Sequence, residues 1–354
     1  MINKRPIRVL IVAPTQGRYG GLEAFVFALA ASLAGQEGFS PKLCFKLVHG
    51  ASLDETLRAR CEKLGGPIAI VQRGSQALFN NLRWADVVHA QNPSPDVAWG
   101  AQLAGRPLVM TIINHRSTRA SAHNFLWGRA VRLAQERCYI SDFVRETWEP
   151  RGLRRHSQVF PAVSSLPPAG PVQWERKGLL FVGRWIANKG IEELLEAYAT
   201  AKIAHAQWPL TLAGDGPLRQ KVGDIVAQRG LGTVRLAGFV SEEEKFSLMT
   251  HAKWNVAPPH TREDLGLTPI EARHLAVPSI ITRDGGLPEA AGLHALVADP
   301  GDVISLRARI EEAAAMPEDE YRRRALGAQA GLAKFLRPLS DYYEIYRRLA
   351  WWCV

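Results

Sequence analysis

Residues 7–13 form a continuous apolar, branched run, the pattern of a parallel strand covered on both faces. A turn-rich stretch over 14–21 separates it from 22–33, where apolar residues return at helical spacing. Strand, loop and helix in that order open a doubly wound α/β unit. Further strands are expected near 43–48, 87–89, 107–112, 138–140 and 159–160, with helices over 55–64 and 124–136 between them. Ser141 is placed to cap a helix that begins at Asp142.

The stretch 161–171 holds four prolines and two serines and has no apolar period, which reads as a linker. A second alternation then begins. Strands are expected over 179–182, 210–213, 234–236, 254–257 and 279–282, and helices over 191–204, 218–229, 242–250 and 267–276. Two successive parallel-sheet domains follow from this pattern, 1–165 and 172–335, facing each other across an interdomain cleft. A last helix over 339–352, within a tail of 336–354, carries Tyr342, Tyr343, Tyr346, Leu349, Ala350 and Trp352 as an apolar stripe. It is expected to pack back on the first domain, with a membrane contact as the alternative.

Length and composition agree with this outline. The 354 residues are 47% hydrophobic, enough for two packed cores. Gly, Pro or charge breaks every apolar run before the roughly 20 residues that a bilayer span needs, and the N-terminus lacks the organisation of an export signal. Cys44, Cys61, Cys138 and Cys353 show neither metal-ligand spacing nor a disulfide framework. A cytoplasmic protein is expected.

Charge is uneven. Residues 1–165 hold 21 Lys plus Arg against 11 Asp plus Glu, whereas 166–354 hold 23 of each. The whole formal excess of +10 therefore lies in the first domain, including Arg116, Arg119, Arg129, Arg132 and Arg137 near Phe125 and Trp127. Such a face can meet anionic lipid at the inner face of the cell membrane or a phosphorylated acceptor, or simply aid solubility. Nucleic acid is not indicated, because zinc-finger spacing, RNA-binding aromatics and concentrated basic runs are all missing.

The chemistry-bearing motifs concentrate in the second half: Phe181-Val-Gly-Arg-Trp185, Asn188-Lys-Gly190, Ala213-Gly-Asp-Gly-Pro217, Glu263-Asp-Leu-Gly-Leu-Thr-Pro-Ile-Glu271 and Asp284-Gly-Gly-Leu-Pro-Glu289. Arg184 and Lys189 follow a strand and precede a helix, where a diphosphate needs cationic donors; a solvent-facing pair balancing Glu192 and Glu193 is the bland reading. Around Gly266, a helix start at Leu267 and Thr268 would leave backbone N–H groups facing a phosphate. Glu263 and Glu271 would remain for hydroxyls, unless they only cap or pair. Gly20 and Gly21 allow close backbone approach before an apolar helix, and Gly214, Asp215 and Gly216 shape a loop that a plain turn would explain nearly as well.

In this order the motifs resemble the retaining glycosyltransferases with two facing Rossmann-like domains (GT-B, glycosyl transferases group 1), often called family 4. The resemblance covers nearly the whole chain and is most specific over 181–289. It implies transfer of a hexosyl unit from a nucleotide diphosphate sugar, UDP- or GDP-linked, to an acceptor hydroxyl by departure and attack on one face. It assigns Arg184 and Lys189 to the diphosphate, Glu263 to the transferred sugar and Glu271 to the ribose. Gly20 and Gly21 fall beside the diphosphate, and Gly286 and Glu289 in the loop that finishes the nucleotide pocket. Leu265 stands where phenylalanine is usual and keeps an apolar anchor. The family's histidine after the strand over 107–112 is replaced by Ile113, so His115, two residues on, is the leading candidate for the sugar or acceptor hydroxyl, with His123 and His89 as alternatives.

No Asp-x-Asp triplet occurs, so no cofactor or metal is expected. The implied acceptor is a saccharide or lipid-linked saccharide of envelope or exopolysaccharide assembly, or else a small soluble sugar or natural product. A nucleotide-sugar epimerase, a sugar phosphorylase and a silent binding protein of the same architecture are the competing readings. An NAD or FAD enzyme is disfavoured because residues 13–21 lack the Gly-x-Gly-x-x-Gly run.

Overall fold

The computed structural model describes residues 5–48, 51–64, 66–119, 121–152, 154–161, 163, 166–168 and 170–350. The side chain of His123 lies outside this description, as do Trp352 and Cys353. Two compact units result, Met1–Ser165 with Leu336–Val354, and Leu166–Phe335.

In the first unit the strands are β1 (Ile7–Thr15), β2 (Phe39–Leu47), β3 (Ile68–Gln72), β4 (Val87–Gln91), β5 (Leu108–Ile112), β6 (Glu136–Tyr139) and β7 (Ser157–Val159). They form one parallel sheet in the order β3-β2-β1-β4-β5-β6-β7. Its helices are α1 (Gly21–Ala34), α2 (Glu55–Leu64), α3 (Gln76–Trp84), α4 (Pro95–Leu103), α5 (Ala122–Leu133) and α6 (Asp142–Trp148). The second unit has β8 (Lys177–Val182), β9 (Leu210–Ala213), β10 (Val234–Gly238), β11 (Ala252–Ala257), β12 (Ser279–Thr282) and β13 (Leu296–Ala298). These make a parallel sheet in the order β10-β9-β8-β11-β12-β13. Helices α7 (Ile191–Thr200), α8 (Arg219–Gln228), α9 (Glu242–His251), α10 (Leu267–His274), α11 (Leu287–Ala291), α12 (Val303–Ala315) and α13 (Glu318–Ala330) surround it. Both orders reverse direction once, beside the first strand of the unit, as in doubly wound nucleotide-binding sheets.

Helix α14 (Asp341–Ala350) belongs to the first unit and packs on β1 and β4. Its Tyr342, Tyr343, Ile345, Tyr346 and Leu349 are buried in one core cluster with Val9, Phe25, Phe39 and Phe160. The tyrosines keep their hydroxyls bonded: Tyr346 Oη lies 2.6 Å from His89 Nδ1, and Tyr342 Oη 2.9 Å from Thr111 Oγ1. In the second unit Trp185, Tyr198, Leu212, Trp254 and Tyr321 anchor the main core. Two buried arginines close helix ends there. Arg176 donates to the carbonyls of Thr250, Leu275 and Ala276, and Arg273 to those of Ala290 and Ala328, which satisfies acceptors that the helices leave open.

Periodicity and structure differ at two helix ends, and buried charge is the cause at the first. The helix expected over 124–136 stops at Leu133, and Glu136 and Arg137 enter β6 instead. Both are buried and paired: Glu136 with Gln158 and Arg348, Arg137 with Glu149, Ser157 and the carbonyls of Ala134 and Arg155. Arg137 therefore faces inward and leaves the basic surface assigned to it. Trp127 is half-buried, with the Arg73 guanidinium 5.3 Å from its ring centre. Helix α7 ends at Thr200, short of the expected 204, because Ala201 turns extended.

Candidate functional site

In the second sheet β8 and β11 are neighbours although two strands intervene in sequence. Ligands of open α/β sheets collect at the carboxyl ends of strands at such a reversal. The segment after β8 (183–190) and the segment after β11 (258–266) leave from this edge, and backbone holds them together. Gly190 has φ +70°, and a Cβ on it would stand 1.8 Å from the Pro258 carbonyl oxygen. The His260 amide donates to the Asn188 carbonyl at 3.2 Å.

This joint brings Lys189 and Glu263 into contact. Lys189 Nζ lies 2.5 Å from Glu263 Oε2, both side chains about a quarter exposed. The Glu263 amide donates to Asp284 Oδ1 at 2.6 Å and its carbonyl accepts from the Gly286 amide at 2.7 Å. Glycine is required on the facing loop, since a Cβ on Gly285 would sit 2.0 Å from the Glu263 carbonyl oxygen and one on Gly286 2.4 Å from that of Asp264. Burial raises the Asp284 carboxyl above its ordinary value, opposed by the Glu263 amide.

Leu265 is buried, and Gly266, at φ +87°, starts α10. The first turn of α10 has no acidic residue, so the amides of Leu267 and Thr268 remain as donors at a positive helix end. Arg184 is exposed and has no ion-pair partner among the described residues. Next to it Trp185 is buried, and its amide donates to the Asp215 carbonyl at 2.9 Å. A Cβ on Gly214 would stand 1.8 Å from the Gly183 carbonyl oxygen, and one on Gly216 2.5 Å from that of Trp185, so the 213–217 loop lies directly on the Arg184 loop. The Asp215 carboxylate is engaged with its own loop, through the Gly216 amide at 2.7 Å and Arg219 at 2.8 Å. A hollow of about 530 Å³ opens alongside, lined by Trp185, Pro217, Gln220 and Gly238 among others.

Glu271 faces Lys245 at 2.8 Å, and Lys245 also reaches Glu242 at 2.8 Å. Burial pushes the Glu271 carboxyl up, with Lys245 acting against it. Burial likewise opposes the Lys245 ammonium, but its two carboxylates outweigh it and raise its pKa. Glu289, in the first turn of α11, pairs with Lys334 at 3.3 Å. Lys245 and His260 were not identified from the sequence, and Asp284, though it opens a named motif, was given no role. Lys245 follows an acidic run at the start of a surface helix, and only its burial distinguishes it from a solvated charge.

In the first unit Gly20 and Gly21 open α1 beyond the carboxyl end of β1, and Glu23 anchors this turn by accepting from Thr15 Oγ1 at 2.8 Å in a buried contact. His115 is half-buried in the loop after β5, its ring 6.0 Å from that of Phe143. The loop is fixed by Asn92, whose Oδ1 accepts from the amides of Ile113 and Asn114 at 2.9 and 3.1 Å. His89 is wholly buried, bonded to Tyr346 and Thr111, and burial pushes its pKa down to about 3, so it is a core residue. Among the described residues no cluster of three His, Cys, Asp or Glu is placed to hold a metal, and no helix is long and apolar enough to cross a membrane.

Two Rossmann-like units, the second with its cation and carboxylate at the sheet reversal, define the GT-B class of fold. Residues 168–330, nearly the whole second unit, match the model of the family described as glycosyl transferases group 1. It is similar to the uncharacterized glycosyltransferase YqgM of Bacillus subtilis, 25% identical across 77% of this chain and 80% of that protein. O-antigen chain mannosyltransferase B of Escherichia coli is 31% identical over 44% of this chain and 40% of its own length. The crystal structure of Anabaena HepE in complex with UDP and glucose shares the fold, with a TM-score of 0.77 at 17% identity over 97% of this chain and 99% of that one.

Proposed function

We propose that the protein transfers a hexosyl unit from a UDP- or GDP-sugar to an acceptor hydroxyl, with retention at the anomeric carbon and without a divalent metal. The observation that carries this reading is the Lys189–Glu263 contact beside the open amides of α10, at the sheet edge where nucleotides bind. One position thus offers a cation for phosphate and a carboxylate for sugar hydroxyls. In the reaction the bond from C1 to the diphosphate oxygen breaks, and Arg184, Lys189 and the amides of Gly266, Leu267 and Thr268 meet the charge growing on the leaving oxygen. The acceptor oxygen bonds to C1 on the same face, and its proton leaves with the diphosphate. Glu263 holds the transferred sugar and Glu271 the ribose, and the hollow beside Trp185 has the size for a nucleoside. His115 serves the acceptor.

The acceptor is a saccharide carried on lipid, and the first unit makes a peripheral contact with an anionic membrane on its cytoplasmic face. Residues 97–135 contain five arginines and no Asp or Glu. On α5 the exposed positions are Ala122, Phe125, Leu126, Arg129 and Arg132, a single helical stripe, apolar at one end and basic at the other, with exposed Arg119 just before it. Such a stripe suits an anionic headgroup layer.

The test is incubation with UDP- and GDP-sugars and lipid-linked or soluble saccharides in the presence of a chelator, with NMR of the product linkage. Transfer with the donor's anomeric configuration preserved is expected. Activity that appears only when metal is restored, an inverted linkage, or donor epimerisation without transfer would each overturn the corresponding part.

A further inference from the structure

We propose that His260 is a positioning residue for the donor site: its imidazole latches the turn that carries Lys189 to the loop that carries Glu263. This rests on the reading of the site given above. The turn over Ala187–Lys189 is a single 3-10 turn, too short to hold its own orientation through internal bonds. Its Ala187 carbonyl already accepts from the Gly190 amide at 3.1 Å, and His260 Nε2 lies 2.7 Å from the same oxygen. A carbonyl only accepts, so Nε2 carries the proton and donates. Glu193 Oε1 stands 3.5 Å from the same Nε2, and Glu193 Oε2 is buried without a hydrogen-bond partner. Nε2 thus faces both the turn and the first turn of α7.

His260 is three residues before Glu263, and Ala187 two before Lys189. With the His260 amide on Asn188 and the Pro258 carbonyl against Gly190, the ring bond makes a third tie between the segments besides the Lys189–Glu263 contact itself. It is the only one of the three that a side-chain substitution at 260 removes. Loss of that tie frees the turn, and Lys189 no longer meets the donor at the spacing that Glu263 sets.

The experiment compares H260A, H260F and H260Q with the unaltered protein by calorimetric titration with UDP and GDP and by steady-state transfer kinetics. Glutamine can still donate to Ala187, whereas phenylalanine fills the ring volume and cannot. H260A and H260F are expected to weaken nucleotide binding about fivefold or more and to lower kcat about tenfold, and H260Q to stay within about threefold of the unaltered protein. If His260 acts through Lys189, adding H260A to K189A should cost little beyond K189A alone. Equal losses in H260Q and H260F, or full additivity with K189A, would overturn the latch. So would unaltered binding in H260F, which serves if H260A fails to fold. Should K189A itself leave nucleotide binding unchanged, the donor-site reading fails first; should K189A weaken binding while H260F does not, only the latch fails.

Discussion

The Lys189 ammonium and the Glu263 carboxylate, 74 positions apart in sequence, meet at 2.5 Å across two loops joined by backbone contacts. A charge placed by so rigid a frame needs little reorganisation when phosphate charge develops. Lys189→Ala and Arg184→Ala are each expected to lower kcat/KM at least tenfold, about 1.4 kcal/mol of transition-state stabilisation. Circular dichroism should show the fold intact, and unaltered turnover in both variants would remove the diphosphate assignment.

Glycines at the loop joints divide into two classes. Gly190→Ala and Gly285→Ala drive a methyl into a carbonyl oxygen at 1.8 and 2.0 Å, so large losses of stability and activity are expected. Gly230 also has positive φ but open space around it, and Gly230→Ala should cost only about 1 kcal/mol. Urea melts of the three variants check the ordering.

His89 titrates with the fold. Its pKa is depressed to about 3 in the folded state, against about 6.5 unfolded, so the unfolded chain binds the extra proton first. Stability contributed by the neutral ring is full above pH 6.5 and declines as pH falls from there towards 3. His89→Gln, which keeps a polar side chain for Tyr346 and Thr111, should flatten this part of the stability curve measured by denaturant titration between pH 4 and 7.

Lys245→Met leaves the Glu271 carboxylate with its other neighbour, Glu242, and no cation. Loss of one partner from a largely buried pair costs on the order of 3 kcal/mol. Donor KM should rise more than kcat falls, since the pair lies under the proposed ribose contact; an unchanged KM would detach Glu271 from the nucleotide.

Arg129→Glu together with Arg132→Glu should abolish co-sedimentation with anionic vesicles while transfer to a soluble acceptor continues. Raising salt from low to physiological strength should weaken binding of the unaltered protein, because the attraction is screened over about 8 Å. Equal binding of both proteins would place the contact elsewhere.

The two parallel sheets were legible because buried strands such as 7–13 and 279–282 are continuous apolar runs, and the site loops because Gly and charge interrupt them at strand ends. Some boundaries were hidden where charge is internal: the strand expected near 138–140 begins earlier, with buried Glu136 and Arg137, and Glu136 finds a partner as far away as Arg348. Between 282 and the tail helix the pattern raised no expectation of helix or strand, although β13 and helices α11 to α13 lie there. Glu263 stood out as a carboxylate in a glycine-bearing motif. His260 did not, and Asp284 stood in a named motif without a role, since the roles of both arise only from the folding of one loop against another.

Helix α14 closes the core of the first unit from the far end of the chain. During synthesis, β1 to β7 emerge from the ribosome with the place of Tyr342 and Tyr346 still empty, and the entire second unit follows before those rings are made. The second unit has all its strands and helices within one stretch, Leu166–Phe335, and domains fold as they are completed. Assembly therefore runs out of sequence order: the later unit matures first, and the earlier one waits with an apolar seam exposed until its last helix arrives.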